Sequence, residues 1–226
     1  MGVNVRNNEQ EALDVVKAIE ELGARAVAVV GDIGDADHVE KVVRLTRNSL
    51  GPVTLLVCNA GMRATKSALD CSVDEWRKLI DINLSATFYF IRSVVEDMKK
   101  AEFGRIISIT GGIAHHPTPG AHENHAHLAA TKGAAEILLQ SLAPDLARYG
   151  ITCDAIAPGP IATGRPAPVQ LPSTAIGRLG ATEEIAYLCR VLCSPRASFV
   201  TGQVTLADGG GMIGGVMSNV RGAGSS

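Results

Sequence analysis

The sequence predicts an α/β fold in which one doubly wound parallel sheet carries helices on both faces. Three observations predict it. Short apolar runs of strand type alternate with helix-period stretches along most of the chain. The strands are apolar runs, as a sheet covered on two sides requires. No internal repeat or shift of composition divides the 226 residues. The elements therefore form one domain over residues 1–210, with a Gly/Ser-rich tail over 211–226.

The elements follow in order. Glu9 to Leu22 places Leu13, Val16, Ile19 and Leu22 on one helical stripe, and Gly23 ends it. Ala26 to Val30 is a strand closed by Gly31-Asp32, and Asp37 to Leu50 is a helix stopped by Gly51-Pro52. Val53 to Val57 is a strand that runs into a tight Asn59-Ala60-Gly61 turn. Two helices follow, Asp74 to Ile82 and Ser85 to Lys100, then a strand from Arg105 to Ile109. Thr110-Gly111-Gly112 opens a polar, His-rich loop, and Leu128 to Tyr149 is a long helix that Pro144 either kinks or divides. Ile151 to Ala157 is a strand broken by Pro158-Gly159-Pro160, and a Pro-rich loop covers Thr163 to Pro172. A helix from Glu183 to Leu192 and a strand from Gln203 to Ala207 complete the domain.

Composition narrows the function classes. The chain is 46% hydrophobic and 19% charged with a net charge of −2, which excludes disordered and fibrous classes and predicts no basic face. Nucleic acid and membrane are therefore not expected as partners; a small-molecule substrate is. Five cysteines stand without a CxxC pair, the pattern of reduced thiols in a cytoplasmic protein, although Cys189 and Cys193 share a helix face. No basic leader with an apolar run and no eighteen-residue apolar stretch occurs, so neither a signal peptide nor a membrane span is expected.

In open parallel sheets the ligand lies at the carboxyl ends of the strands. Distinctive turns stand there: Gly31-Asp32-Ile33, Asn59-Ala60-Gly61, the loop after Ile109, and Pro158 to Thr163. With Asp81-Ile82-Asn83-Leu84, Gly177-Arg178-Leu179-Gly180 and Asp208-Gly209-Gly210, in family order and spacing, the chain resembles the short-chain dehydrogenase/reductase family, with its Rossmann-like sheet. The resemblance runs from about Val3 to Gly210. It implies that Asp32 contacts adenine, that Asn59, Ala60 and Gly61 line the cofactor, and that Ile161 and Thr163 hold the nicotinamide amide. Asn4-Val5-Arg6 looks like the end of the family's second strand, where an Arg suits the 2′-phosphate of NADP. Family members usually pair through two long helices, so a homodimer or homotetramer is expected.

Three departures from the family pattern stand out. The Gly-rich turn that presents a helix N-terminus to the pyrophosphate is missing, and the chain resembles a family member without its first strand and first helix. An exposed gap beside Val53 to Val57 is expected from that loss. Leu128 stands four residues before Lys132, where the family has its proton-donating Tyr. Gly111 stands at the place of the catalytic Ser, with Thr110 beside it. Of the family's catalytic set, Asn83 and Lys132 remain.

Five of the six histidines lie between His115 and His127, in the loop that borders the family's substrate pocket. His115, His116, His122, His125 and His127 are candidate ligands for Zn, Mn or Fe, since imidazole is the commonest transition-metal ligand. His125 and His127 are also candidate general acids or bases without metal. Lost redox groups beside gained imidazoles point to a pocket diverted to metal-assisted or acid–base hydrolase, lyase or isomerase chemistry on a carbonyl-type substrate. The alternatives are an NADPH-dependent carbonyl reductase of 3-oxoacyl type with a depleted catalytic set, and a non-catalytic scaffold or partner subunit. The Gly164 to Ile176 segment, with three prolines, predicts a short, stiff lid over an open pocket.

Overall fold

The computed structural model describes residues 1–63, 66–115, 126–164 and 174–214. It is an α/β fold built on parallel strands, the class that the sequence predicts. Strand β1 (Gly2–Val5), helix α1 (Glu9–Glu21), strand β2 (Val27–Val30) and helix α2 (Ala36–Leu50) open the chain. Then come β3 (Leu55–Cys58), α3 (Val73–Ile80), a π-helical turn over Asp81–Ser85 and α4 (Ala86–Lys100). Strand β4 (Gly104–Ile109), a 3-10 turn at Gly112–Ala114, helix α5 (Ala126–Ala147) and strand β5 (Ile151–Pro158) follow. Short strands β6 (Ile161–Ala162) and β7 (Gly180–Ala181), helix α6 (Thr182–Cys193), strand β8 (Val204–Ala207) and helix α7 (Gly211–Gly214) close the described chain.

Every ladder is parallel, but the hydrogen bonding is divided. β1 pairs with β2, with Gly2 opposite Val27, while β3, β4, β5 and β8 form a four-stranded sheet in that order. β6 and β7 pair separately. Among the described residues no strand bonds to the outer edge of β3, and Leu55 and Val57 there are 47% and 43% exposed. Helices α2 and α4 instead hold the two groups of strands together. Asp97 of α4 accepts from Arg47 Nε of α2 at 2.9 Å and from the Val53 N–H at 3.0 Å, and Arg47 also reaches the Ser93 carbonyl at 3.1 Å.

Burial opposes the Asp97 charge, but the Val53 N–H and the Arg47 guanidinium outweigh it and hold the carboxyl below its ordinary value. A carboxyl whose folded value is depressed stabilises the fold above the ordinary carboxylate range, near pH 4, and loses that contribution as pH falls through the folded value. Asp97→Asn is therefore expected to cost about 2 kcal/mol at pH 7 and much less at pH 3, read by denaturant unfolding at the two pH values.

The main core lies between the four-stranded sheet and helices α4 and α5, where Val94, Met98, Ile106, Leu139, Ile151 and Cys153 are buried together. Gly104 is required at the start of β4 because an added Cβ would stand 2.7 Å from the Met98 sulfur. A smaller cluster under α6 gathers Ile107, Ile156 and Leu192, with Cys189 and Cys193 half-buried against it. All five cysteines are free thiols. No described helix is long and apolar enough to cross a membrane.

Five elements differ from the sequence expectations. The helices expected to be separate at Ile82 and Ser85 are joined by the π-helical turn, one of the shapes that insert an extra residue without breaking a helix. Helix α5 begins at Ala126, two residues early, and runs through Pro144, whose ring removes one N–H from the ladder. β6 and β7 lie within segments expected to be loops, and Gly211–Gly214 form a helical turn at the head of the expected tail.

Candidate active site

The site forms where the turns after β3 and β4 meet α5. The π-helical turn aims Asn83 inward, buried at 4% exposure. Its Oδ1 accepts from the Met62 N–H at 2.7 Å, while its Nδ2 donates to the Met62 carbonyl at 2.9 Å and meets Thr131 Oγ1 at 3.3 Å. Asn83 thus clamps the turn after β3 onto α5 through both ends of its amide. Lys132, also on α5, donates from Nζ to the Ile109 carbonyl at the end of β4, at 3.0 Å. The two side chains converge on Gly61. A Cβ there would lie 3.2 Å from both Asn83 Oδ1 and Lys132 Nζ, so the absence of a side chain lets the turn reach them.

Burial pulls the Lys132 amine below its ordinary value, and the Glu136 charge recovers part of the loss. Burial also pushes the Cys58 thiol up to about 12 despite a hydrogen bond with Thr87, so Cys58 stays neutral beside Lys132. Leu128 is buried one turn before Lys132 on α5 and brings no polar group to the site.

A second polar cluster stands behind Lys132. Glu136, one helical turn further along α5, is a carboxylate only 4% exposed. Thr110 Oγ1 donates to its Oε1 at 2.6 Å and lies 3.2 Å from the Ile156 carbonyl. His115 Nε2 lies 2.9 Å from its Oε2. Sequence reasoning missed Glu136. Its one signal is a lone carboxylate in the apolar run Gly133 to Leu142, on a face whose other members, Leu128, Ala135 and Leu139, are core residues.

Among the described residues the expected histidine site gains no support. His115 is engaged with Glu136, and His127 is buried within α5 rather than in a loop. His116, His122 and His125 lie outside the described residues. Among the described residues no group of three His, Cys, Asp or Glu side chains could hold a metal ion, so the expected Zn, Mn or Fe site has no support. Thr110, a candidate catalytic hydroxyl, is turned into the interior, with its hydroxyl on Glu136.

The candidate cofactor residues lie along the carboxyl ends of the strands. Arg6 follows β1 and Asp32 follows β2, with Arg6 Nε 3.8 Å from Asp32 Oδ2 and both side chains largely exposed. Asp32 Oδ1 accepts from the Gly34 N–H at 3.0 Å, which shapes the turn. Asp32 and Gly34 face Asp81 and Ile82 across an open polar cleft of about 330 Å³. Asn59, Ala60 and Gly61 are exposed after β3. Ile161 sits in β6 and Thr163 is exposed just beyond it. Ile161 also lines a larger cleft of about 480 Å³ with Ile176, Tyr187 and Leu188. The centre of the expected lid, residues 165–173, lies outside the described residues.

Comparison with known proteins bears on what this arrangement does. A family profile described as enoyl-(acyl carrier protein) reductase matches residues 2–211. A 3-oxoacyl-[acyl-carrier-protein] reductase of Synechocystis is 32% identical over 92% of this chain and 85% of its own length. The crystal structure of an acetoin dehydrogenase from Salmonella typhimurium superposes with a TM-score of 0.85 at 31% identity, over 94% of this chain and 86% of that one. A gluconate 5-dehydrogenase from Burkholderia cenocepacia, in complex with NADP and tartrate, superposes with a TM-score of 0.82 at 30% identity, over 93% of this chain and 84% of that one. These proteins are oxidoreductases by name. They overturn the expectation of a pocket diverted to hydrolase, lyase or isomerase chemistry and favour the alternative of a reductase. The loss of a first strand and helix gains no support from the matches, which extend over more than nine-tenths of this chain.

Proposed function

The chain belongs to the short-chain dehydrogenase/reductase family, and from that premise we propose that it interconverts a carbonyl and an alcohol on a small molecule with NADPH as the cofactor. The convergence of Asn83, Gly61 and Lys132 carries this reading. A glycine that brings the turn after β3 to within reach of an amide and a buried ammonium leaves a cradle that a side chain would fill. Such a cradle suits the ribose and nicotinamide of a dinucleotide.

The proposed binding residues follow the strand ends. Asn59, Ala60 and Gly61 line the cofactor, Ile161 and Thr163 face its amide, Asp32 meets adenine and Arg6 meets the 2′-phosphate. The bound NADPH supplies a hydride. The chain supplies the rest: Asn83 fixes the turn and Lys132 holds a proton beside it. The catalytic set lacks the family's Ser and Tyr, whose positions Gly111 and Leu128 occupy. Support for small hydroxy- or oxo-substrates comes from the relatives named for acetoin, gluconate and 3-oxoacyl groups. Phe88 of α4 and Ile137 of α5, 46% and 62% exposed, supply apolar surface for the proposed homodimer or homotetramer.

Arg6 sits in an exposed pair with Asp32 that is worth little by itself, so its guanidinium can turn to a phosphate at small cost. Arg6→Ala is expected to weaken NADPH binding about tenfold and leave NADH binding nearly unchanged, as a charge-assisted phosphate contact requires. Isothermal titration with both nucleotides checks it. Turnover is tested by the loss of NADPH absorbance with α-hydroxyketones, keto-sugars and 3-oxoacyl thioesters. Reduction of one class supports the reading; a flat trace with all of them, in protein shown to bind NADPH, contradicts it.

A further inference from the structure

In a site where Leu128 holds the place of a donor hydroxyl, the proton delivered to the substrate oxygen needs another source. Two features of α5 identify one. Lys132 Nζ reaches the carbonyl at the end of β4 and stands against Gly61. Glu136 follows one turn later on the same helix, with one carboxylate oxygen accepting from Thr110 Oγ1 at 2.6 Å and the other 2.9 Å from His115 Nε2, without hydrogen-bond geometry. This carboxylate is fixed in place by the Thr110 hydrogen bond. It would otherwise be costly at this depth.

We infer that Lys132 is itself the proton donor of this site, and that Glu136, fixed by Thr110, is the positioning residue that keeps its ammonium charged. The inference rests on the reductase reading above. As hydride reaches the carbonyl carbon, the π pair of the C=O bond moves to oxygen. An N–H bond of the Lys132 ammonium breaks, its electron pair stays on nitrogen, and an O–H bond forms on the product alcohol. The neutral amine then takes a proton from water. Among the described residues, the Cys58 thiol from β3, the Ile109 carbonyl from β4 and the Glu136 carboxylate from α5 face Lys132, and the Asn83 amide meets it across Gly61. Glu136 is the only carboxylate among them, and His115, just after the 3-10 turn, lies 2.9 Å from it.

The direction of each effect follows. Burial already draws the Lys132 amine below its ordinary value, and Glu136 opposes that fall. Removing the carboxylate charge must lower the amine further. A general acid is active only while protonated, so the alkaline limb of the rate profile must move to lower pH. Glu136→Gln is expected to shift both the limb and the amine titration down by about one pH unit. Glu136→Asp, which keeps the charge but withdraws it by one methylene, should shift both in the same direction by less, and it serves if the Gln variant does not fold. His115→Gln retains an N–H for the carboxylate and should leave the limb within a few tenths of a unit.

Two readouts are needed: NMR titration of isotope-labelled lysine, with Lys132 assigned from the Lys132→Met spectrum, and the pH profile of NADPH oxidation. An active wild type whose amine titration and limb stay put in both Glu136 variants overturns the donor assignment alone. A loss of more than tenfold in His115→Gln, with the limb unmoved in Glu136→Gln, transfers the proton to His115 and overturns it too. The expected amine shifts in a protein that oxidises NADPH with no carbonyl overturn the reductase reading and the donor assignment with it.

Discussion

Lys132→Met is expected to lower kcat/KM by about a thousandfold, within the range of a lost general acid. The side chain is the convergence point of the site: it joins the end of β4 through the Ile109 carbonyl and flanks Gly61 with Asn83. Methionine has nearly the same volume, so folding should change by no more than about 1 kcal/mol. The loss should therefore appear in turnover and leave the thermal midpoint within a few degrees. Steady-state kinetics beside calorimetry checks both. A variant that turns over normally would remove Lys132 from the chemistry and leave it as a strut for the end of β4.

Ile106→Ala should have the largest effect on stability. Ile106 lies in the second strand of the four-stranded sheet, fully buried between Leu56, Met98, Leu139 and Cys153 of the main core. Truncating a buried isoleucine to alanine costs about 3–4 kcal/mol through lost transfer energy and a residual cavity. That is a large part of the 5–15 kcal/mol typical of a domain, so the midpoint of urea unfolding should fall markedly with little change in slope. An unchanged midpoint would mean that the sheet is not packed against α4 and α5 as described.

Much of the architecture was legible in the sequence, because apolar runs and helical stripes report burial directly. The π-helical turn at Asp81–Ser85 was not, since one extra residue in a helix leaves no periodic trace. It matters more than its length suggests, for it is what turns Asn83 onto Met62. Within the site, Asn83, Gly61 and Lys132 were legible through their resemblance to a family pattern. Glu136 was not, because its partners lie in a distant strand end and turn, and a lone carboxylate in an apolar run does not say what will meet it. The expected histidine site gains no support for a related reason. Nearness along the chain is not convergence: among the described residues His115 turns to Glu136, and His127 is buried in α5. A metal needs three ligands facing one point, and sequence spacing in a loop does not supply that.

Fluorescence titration of the protein with NADPH and NADH tests the central claim most directly. Saturable micromolar binding of NADPH, weaker binding of NADH and loss of that preference in Arg6→Ala are the predicted results. No binding of either nucleotide at millimolar concentration would contradict the account and leave a partner subunit without redox chemistry as the better description of this chain.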